Sequence, residues 1–488
     1  MTAALTPPSD QDDTRRAALL TRLQPLLPAG GLLSDPEDIK PYECDGLTAY
    51  RCLPWCVALP DREEQVVAVL RVCHDLKIPV VVRGAGTGLS GGATPVAAGL
   101  VLSLARFMRI IEIDPLARLA RVQPGVRNLA ISEAAAPFGL YYAPDPSSQI
   151  ACTIGGNVAE NSGGVHCLKY GLTVHNILKL RVALIDGAVI EIGSHALDSP
   201  GYDLLALLIG SEGMLGVVLE ATVKLTPRPT VAQVVMASFD DVTQAGNAVA
   251  AIIAAGIIPA GLEMMDKPAT AAVEAFVHAG YDLSAAAILL AESDGTEQEV
   301  AEEIAAMCQV LESSGARGLR VSQSDDERLR FWAGRKAAFP AVGRLTPDYL
   351  CMDGTIPRKH IAHVLTRIEE LAQQHRLRVA NVFHAGDGNL HPLIMFDASR
   401  DDELDRATAL GAAILELSVE VGGTITGEHG VGIEKVQQMC LQFSADELAA
   451  FRGVKEAFDP LGLLNPGKAV PTPRHCSEYR LTGSGRHT

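Results

Sequence analysis

The sequence predicts an α+β protein with two main domains. From about residue 55 to 228, short β-branched runs alternate with helical segments and with unusually many glycines. The proline-rich stretch "TPRPT" at 226–230 then marks a boundary. Beyond it the strands and helices become longer, in an order typical of an antiparallel sheet crossed by helices.

Composition bounds the class of protein. A chain of 488 residues with 48% hydrophobic residues can build large cores, and a net charge of −17 without a basic block argues against nucleic acid as a partner. The ten cysteines show no C-x-x-C pair, so we expect reduced thiols in a cytoplasmic protein. The start is polar, and the apolar segment 248–262 is only 15 residues long and contains Pro259. We therefore expect no direct membrane span, and any place at the inner membrane would be peripheral, through partner subunits.

The first part of the chain is expected to hold a polar lead and helix over 1–48 and a domain over 49–228. Runs rich in Val, Ile and Leu between turn residues predict strands, and apolar spacing near 3.6 residues predicts helices. In chain order these are "VALP", a helix over 61–76, "IPVVVRG", "GLVLSL", "IIEID", "RLARV", a helix over 126–138, glycine-rich loops, and "GVVLEATVKL".

The same reading places a second domain over 229–472 and a tail over 473–488. Its expected elements are strand "AQVVMASF", a helix over 241–256, "AGLEMM", a helix over 267–279, "AAILLAES" and a helix over 296–315. From residue 401 onward the pattern is mostly helical, with helices over 401–421 and near 436–457.

A glycine-rich stretch follows the strand "IPVVVRG". Gly86, Gly88 and Gly91 match G-x-G-x-x-G, and Glu112 stands where a ribose ligand would. The dinucleotide fingerprint must open a helix, however, and here the next regular element is a strand from Leu100. This disfavours an NAD-dependent dehydrogenase.

Such a loop can still hold a diphosphate with its backbone N–H groups. Three further loops rich in small residues occur in the same domain, at 144–148, 152–164 and 209–218. Any one alone could be a turn, but four together predict a site for a large cofactor.

The stretch "NVFHAGDGNLHP" predicts a hairpin whose turn is "GDGN" at 386–389. Pairing outward from that turn sets His384 opposite His391, where two imidazoles can share one cation. Glu428 in "TITGEHGVGIEK" would complete a divalent site with two histidines and a carboxylate. The alternatives are a cross-strand histidine pair on water and a capped turn.

Taken together, these motifs resemble a known family. The run "RGAGTGLSGG … APDPSS … IGGNVAENSGG … GSEGMLGVV" resembles the FAD-binding domain of the vanillyl-alcohol oxidase and p-cresol methylhydroxylase (PCMH) flavoproteins. With "RFWAGRK", "HAGDGNLHP", "GEHGVG" and "LLNPGK", the chain is similar to the D-2-hydroxyacid dehydrogenase branch, and most of all to the FAD-linked subunits of bacterial glycolate oxidases. The resemblance implies a PCMH-type FAD-binding domain, a ferredoxin-like substrate or cap domain and C-terminal helices.

The resemblance also implies which residues surround the flavin, bound noncovalently because no histidine lies between His74 and His166. The expected cofactor-binding residues are Arg83, Gly84, Ala85, Gly86, Thr87, Gly88, Leu89, Ser90, Gly91, Pro144, Asp145, Ser147, Ser148, Gly155, Gly156, Asn157, Asn161, Gly163, Gly164, Gly216, Val217, Val218 and Asn465.

For catalysis the resemblance implies His384, His391 and Glu428 as metal ligands, with zinc first and manganese or iron as alternatives. It implies His429 as the base that takes the hydroxyl proton while the α-hydrogen leaves as hydride to the flavin. Arg335 would clamp the substrate carboxylate, although a lone arginine is more often a surface ion pair. Cys351 stands where relatives that oxidise larger diacids carry a lysine, which favours a small monoacid.

The sequence thus predicts an FAD-dependent 2-hydroxyacid dehydrogenase acting on glycolate. The sequence shows no clustered cysteines for an iron–sulfur centre, so the flavin needs an external electron acceptor. The resemblance implies, as the other possibility, a second flavin-type subunit and an iron–sulfur subunit that lead to quinone. The alternatives are a stand-alone D-lactate dehydrogenase and a non-catalytic assembly subunit.

Overall fold

The computed structural model describes residues 10–196, 201–474 and 476. Within these ranges, strands β1 to β11 and helices α1 to α8 form the first part of the chain. In chain order they are α1 (Asp10–Leu23), β1 (Leu32–Leu33), α2 (Pro36–Ile39), β2 (Cys56–Ala58), α3 (Glu63–Leu76), β3 (Val80–Arg83), β4 (Leu100–Ser103), β5 (Ile110–Asp114), β6 (Leu119–Val122), α4 (Asn128–Ala135), β7 (Leu140–Tyr141), α5 (Ile154–Glu160), α6 (Cys167–Tyr170), α7 (Thr173–Asn176), β8 (Ile177–Ala183), β9 (Val189–Gly193), α8 (Leu204–Leu208), β10 (Val217–Lys224) and β11 (Thr226–Pro227).

Two sheets organise this first domain. One has the order β1-β2-β4-β3, with β2, β4 and β3 parallel, and the other is antiparallel with the order β5-β6-β10-β8-β9. Helix α3 covers the parallel strands because Val66, Val69, Leu70 and Cys73 lie on one face and are fully buried. It ends at Lys77, whose left-handed backbone (φ 53°) caps the helix.

The glycine loop after β3 contains no helix. Residues 84–99, all of them described, form bends and turns that lead directly into β4. The exclusion of a dinucleotide-binding βαβ unit is therefore confirmed, since no helix N-terminus follows the loop.

Two expectations in this domain need correction. The stretch 152–164, predicted as a loop, contains helix α5, which ends where Asn161 turns left-handed (φ 52°). Its glycines serve close packing, because a Cβ on Gly155 would lie 2.7 Å from Cβ of Pro124. The helix predicted over 126–138 is shorter, since α4 gives way to a 3₁₀ turn at Ala136–Phe138 that contains Pro137.

The second domain is a single antiparallel sheet with the order β15-β12-β14-β13-β17-β18-β16. Its elements are β12 (Val231–Phe239), α9 (Val242–Ala254), β13 (Gly261–Asp266), α10 (Lys267–Val277), β14 (Ala287–Gly295), α11 (Glu297–Ser313), β15 (Gly318–Val321), α12 (Asp325–Lys336), α13 (Ala338–Val342), β16 (Asp348–Cys351), α14 (Ile361–His375), β17 (Arg378–His384), β18 (Pro392–Phe396), α15 (Glu403–Glu420), α16 (Met439–Gln442) and α17 (Ala445–Phe458).

Helices cover both faces of this sheet. Val235, Leu289 and Phe383 point to the core under α9, α11, α14 and α15, whereas their neighbours Val234 and Ile288 point to the core under α10, α12 and α13. Because successive strand residues face opposite sides, both sets are apolar. The predicted antiparallel sheet crossed by helices is confirmed.

The C-terminal segment returns to the first domain. Leu464 forms a parallel bridge with Val80 of β3, and the backbone N–H of Asn465 donates to the Val80 carbonyl at 2.8 Å. The expectation of reduced thiols throughout was wrong in one place, because Cys476, which follows this segment, forms a disulfide with Cys440, with Cα atoms 5.4 Å apart. Their separation of 36 residues carries no recognisable spacing. In the described parts of the chain, no helix combines the length and apolarity needed to cross a bilayer.

Candidate active site

The two histidines of the hairpin share one face of the sheet, but not in the predicted register. Asn381 pairs with Pro392 and His384 with Asn389, so His384 is the diagonal rather than the direct neighbour of His391. In the observed loop Gly388 adopts a left-handed backbone (φ 83°) and packs against the Ile356 carbonyl, with no room for a Cβ. The shift preserves the parity of the strands, and the two ring centroids lie 5.2 Å apart.

Glu428 completes a three-residue group with these histidines. Its Oε1 lies 3.3 Å from Nε2 of His384 and 3.2 Å from Nε2 of His391. Both histidines are buried, with 5% and 2% of their surface exposed. The structure thus brings together all three predicted metal ligands.

The geometry of these atoms fits a divalent cation. Two ligands about 2.1 Å from a metal stand about 3.0–3.4 Å apart in octahedral or tetrahedral arrangements, which the two distances to Glu428 match. Nε2 of His391 is buried and forms no hydrogen bond despite its closeness to Glu428, so its lone pair or proton is not used within the protein. A ring nitrogen, a second ring nitrogen and a carboxylate oxygen are the donors that zinc, manganese and iron accept.

The protonation of this group follows from the charges around it. Burial alone would lower the pKa of His384, but Glu263 and Glu428 raise it well above its usual value. Burial alone would raise the pKa of Glu428, but the two histidines hold it well below its usual value. A cation bound among these atoms would displace the imidazole protons, as metal ligation requires.

His429 stacks on the histidine pair. Its ring lies parallel to that of His391, with centroids 4.8 Å apart and planes inclined by 4°. Burial lowers the pKa of His429 to about 4, and its Nδ1 is buried without a hydrogen-bond partner. At neutral pH the imidazole is therefore uncharged, as a general base must be.

Carboxylates from both domains fix the loop that carries Glu428 and His429. Asp353, fully buried, accepts the backbone N–H groups of Gly427 at 3.1 Å and His429 at 2.9 Å. Burial alone would raise the pKa of Asp353, but basic groups facing it, among them His429 and Lys435, hold it well below its usual value. From the first domain, Glu212 accepts the backbone N–H groups of the next residues, Val431 and Gly432, at 2.7 Å each.

A close contact also joins the first domain to Glu428. A Cβ on Gly163 would lie 2.6 Å from Oε2 of Glu428, so a larger residue at this position would displace the carboxylate. The predicted cofactor residue Gly163 therefore lies beside a predicted metal ligand.

Beside the group of His384, His391 and Glu428, a cavity of about 490 Å³ extends through the first domain. His391, Glu428 and His429 lie at one end, and the glycine loops form much of the wall. Among the described residues, the backbone N–H groups from Ala85 to Gly92 have no acceptor within the protein. Unpaired N–H groups around a glycine-rich loop fit a diphosphate, so the residues present suit the cofactor that the sequence predicts.

Most of the predicted cofactor residues line this cavity. They are Gly84, Ala85, Gly86, Thr87, Gly88, Leu89, Ser147, Ser148, Gly155, Gly156, Asn157, Gly216 and Val218. The others do not line it: Arg83, Ser90, Gly91, Pro144, Asp145, Asn161, Gly163, Gly164, Val217 and Asn465.

Several residues that do not line the cavity support its wall through hydrogen bonds and packing. Arg83 donates from Nη1 to the Cys44 carbonyl at 2.7 Å, and Val217 is a fully buried core residue of β10. Asn465 donates from Nδ2 to the carbonyls of Gly92 at 3.0 Å and Glu212 at 2.7 Å. Asn465 thereby connects two loops of the wall instead of facing the cavity.

Arg335 is not on the surface, as a lone arginine often is. It lies on α12 with 1% of its side chain exposed, and Nε donates to Oε2 of Glu263 at 2.7 Å. Its Nη2 is buried and has no partner in the protein. The neighbouring Lys336, which the sequence analysis did not single out, lines the cavity.

An ion network joins the two domains beside the cavity. His166, after the loop 161–164, lies 2.8 Å from Oδ2 of Asp145 and 3.1 Å from Oε1 of Glu292 on β14. Burial alone would lower the pKa of His166, but the two carboxylates raise it to about 10. The predicted flavin residue Asp145 is thus held by an imidazolium that also binds the second domain.

Asp353, Glu212 and Glu263 are the main site residues that the sequence analysis missed. Asp353 lies in the stretch "DYLCMDGTIPR", where an aspartate before a glycine, just after an apolar strand, was the available signal. Glu212 lies in the fourth glycine loop, "IGSEGMLGVV", where a carboxylate among glycines could have been noticed. Nothing in the local sequence distinguishes Glu263 within "GLEMMD".

Family comparison agrees with this division of the chain. The profile described as "FAD binding domain" matches residues 54–193, and that described as "FAD linked oxidases, C-terminal domain" matches residues 228–469.

Similar proteins span nearly the whole chain. The glycolate oxidase subunit GlcD of Escherichia coli is 62% identical over 467 residues, covering 96% of this chain and 94% of that protein. The subunit of the same name from Bacillus subtilis is 39% identical, covering 88% and 91%. A D-lactate dehydrogenase of Archaeoglobus fulgidus is 34% identical, covering 85% and 91%.

Solved structures with the same fold are more distant in sequence. The p-cresol methylhydroxylase with substrate bound gives a TM-score of 0.78 at 16% identity, covering 95% of this chain and 98% of that one. The 4-ethylphenol oxidase from Gulosibacter chungangensis gives 0.80 at 16% identity, covering 96% and 99%. At this identity the likeness shows the fold alone, which confirms the predicted PCMH-type architecture.

Proposed function

The chain belongs to the family of FAD-linked oxidases, and from this premise we propose that it oxidises glycolate to glyoxylate at a divalent cation beside a noncovalently bound FAD. The observation that carries the proposal is the convergence of His384, His391 and Glu428 next to His429, at the end of the cavity walled by the glycine loops. The similarity to glycolate oxidase subunits supports the choice of substrate.

The flavin would lie along the cavity wall. The unpaired backbone N–H groups from Ala85 to Gly92 would bind its diphosphate, and the small residues Ser147, Gly155 and Gly156 would let its ring system approach the backbone. No histidine lies between His74 and His166, which supports noncovalent attachment.

His384, His391 and Glu428 would hold the cation, which zinc fits first and manganese or iron as alternatives. When bound, the cation supplies Lewis acidity for the substrate hydroxyl, and the FAD supplies a hydride acceptor. His429 would accept the hydroxyl proton, because its ring is neutral at pH 7 and lies against His391. Asp353 and Glu212 keep His429 in place by holding the loop backbone on both sides.

Arg335 would bind the substrate carboxylate. Its Nε is fixed on Glu263, so the guanidinium plane is oriented. Nη2 has no partner among the described residues, although Arg335 is not one of the residues that line the cavity. Cys351 is buried in the core and supplies no positive charge, which suits a substrate with a single carboxylate.

Electrons would leave the flavin for partner subunits. No group of metal-ligating side chains in the described ranges contains a cysteine, so an iron–sulfur centre would have to come from another chain. We propose a second flavin-type subunit, an iron–sulfur subunit and then quinone, with the chain held peripherally at the inner membrane through these partners. Co-purification with tagged chain, followed by iron and flavin analysis, tests this assembly.

A second candidate substrate is D-lactate, because D-lactate dehydrogenases are also among the similar proteins. Purified chain loaded with FAD and zinc should reduce an artificial dye with glycolate and form glyoxylate. Turnover of D-lactate without any glycolate activity would make D-lactate the substrate in place of glycolate. A protein that shows no flavin absorbance would overturn the enzyme assignment and favour an assembly subunit.

A further inference from the structure

A buried carboxylate connects Arg335 to the metal group. Glu263 is 1% exposed, its Oε2 accepts from Nε of Arg335 at 2.7 Å, and its Oε1 lies 2.6 Å from Nδ1 of His384. Nε2 of the same imidazole faces Glu428 at 3.3 Å. The three side chains therefore form a continuous path from α12 to the proposed cation.

The sheet itself aligns this path. Glu263 on β13 is the direct cross-strand partner of His384 on β17, so their side chains leave the same face of the sheet. That face is the one covered by α12, because Met265 and Val382, which share it, pack with Phe331 and Trp332 of the helix. Arg335 lies one turn further along α12, and its side chain contacts Glu263 on this face of the sheet.

The hydrogen bonds determine which nitrogen of His384 carries its proton. Arg335 can only donate, so Glu263 must accept on Oε2, and as a carboxylate it also accepts on Oε1. Nδ1 of His384 must therefore carry the hydrogen. In a neutral imidazole this leaves the lone pair on Nε2, directed toward Glu428 and the cation position.

We propose that Glu263 is a positioning residue that fixes the metal-binding tautomer of His384, with Arg335 balancing its charge. The inference rests on the proposed function, since it requires a cation at the His384, His391 and Glu428 group. An arginine balances the carboxylate because an unpaired buried charge would be strongly destabilising. Hydrogen-bonded carboxylates behind metal-binding histidines strengthen the ligand and orient its ring.

The substitution E263Q tests the tautomer directly. Glutamine has one oxygen and one amide nitrogen, so it cannot accept from both Arg335 and His384. If the oxygen stays on Arg335, the amide donates to Nδ1 of His384 and drives the proton to Nε2, where it blocks the metal. We expect zinc to bind roughly 10–100-fold more weakly, as when other residues that hydrogen-bond to a metal-binding histidine are replaced. FAD should still bind.

The matched control is E292Q. Glu292 is also buried on the same sheet, at 2% exposure, and also lies between an arginine, Arg328, and a histidine, His166. His166 does not belong to the His384, His391 and Glu428 group, so E292Q should leave zinc affinity unchanged. Should E263Q fail to fold, E263D keeps the carboxylate on a shorter side chain and is expected to bind zinc more weakly than the wild type.

Zinc affinity is measured by competition with a chromophoric chelator, FAD content by absorbance, and the ligand field by cobalt substitution. Weaker zinc binding and an altered cobalt spectrum in E263Q, but not in E292Q, would support the inference. Wild-type affinity in E263Q, or in E263D if only that variant folds, would overturn it while leaving the proposed function intact. A wild-type chain that binds none of zinc, manganese, iron or cobalt would instead overturn the proposed metal site and the inference with it.

Discussion

His384 and His391 are diagonal neighbours on the hairpin of β17 and β18, and their rings nevertheless meet with centroids 5.2 Å apart. Direct opposition is not needed, because diagonal pairs on one face remain within reach of long or aromatic side chains. The edge-to-face arrangement, at 81°, directs the two Nε2 atoms toward the same carboxylate oxygen of Glu428.

Removing one of these ligands should separate metal binding from flavin binding. In His391→Ala, zinc content should fall to a small fraction of the wild-type value and turnover should fall at least 100-fold, because two ligands hold a cation poorly. FAD should remain, since the unpaired loop N–H groups from Ala85 to Gly92 are untouched. Metal analysis, flavin absorbance and dye reduction on the same sample provide the measurement.

Exhaustive chelation of the wild type should reproduce this loss, and added zinc should restore activity. Turnover that survives in a sample shown to contain no metal would contradict the cation's role.

Replacing the proposed base should slow the chemistry without removing the metal. We expect His429→Asn to lower the rate of flavin reduction by roughly 10²–10⁴-fold, the usual contribution of a positioned general base. Zinc affinity should change little, because His429 contacts His391 by stacking. Stopped-flow reduction under anaerobic conditions measures the rate; an unchanged rate at saturating glycolate would assign the proton transfer elsewhere.

The sequence singled out the three proposed metal ligands, which the structure brings together, but not the contacts that support them. Histidines beside a glycine turn and a carboxylate among glycines made His384, His391 and Glu428 candidates, and the family resemblance then implied them as metal ligands. The register of the hairpin could not be found, since it depends on where Gly388 fits against the Ile356 carbonyl, a contact between distant segments.

The supporting carboxylates show the same limit. Glu263 reaches His384 only because β13 lies beside β17 in a sheet whose strand order is not the chain order. Glu212 and Asp353 approach the loop at 427–432 from different domains. Asn465, predicted from the family motif to bind the flavin, also links two loops of the cavity wall by donating to the Gly92 and Glu212 carbonyls, which the motif does not indicate.

Arg335 and its neighbour Lys336 offer two cations for a substrate carboxylate, and only Arg335 has an unpartnered buried nitrogen. We expect Arg335→Lys to lower kcat/KM for glycolate by roughly 10–100-fold, because an ammonium cannot keep the bond to Glu263 and also bind a carboxylate. The assay is run at saturating zinc, so that any weakening of the metal site through Glu263 does not contribute.

The control is Lys336→Met, which removes the cavity-lining charge and should alter kcat/KM by less than about threefold, as expected for an exposed charge. The reverse pattern, with a large loss in Lys336→Met and little in Arg335→Lys, would assign the binding of the substrate carboxylate to Lys336.

The last prediction concerns the joint between the domains. Burial alone would lower the pKa of His166, but Asp145 and Glu292 raise it to about 10. Between pH 6.5, the ordinary pKa of histidine, and pH 10, the folded protein therefore keeps a proton that the unfolded chain has lost. Stability from this proton is complete below pH 6.5 and is lost as the pH rises toward 10. Each pKa unit corresponds to about 1.4 kcal/mol, so the effect should be measurable.

The free energy of unfolding of FAD-free protein in urea should therefore differ most between wild type and His166→Asn near pH 6 and least near pH 10. His278→Asn, at an exposed left-handed position, is the control and should show no such trend. A gap between wild type and His166→Asn that stays constant over this range would mean that His166 acts through packing and not through its charge.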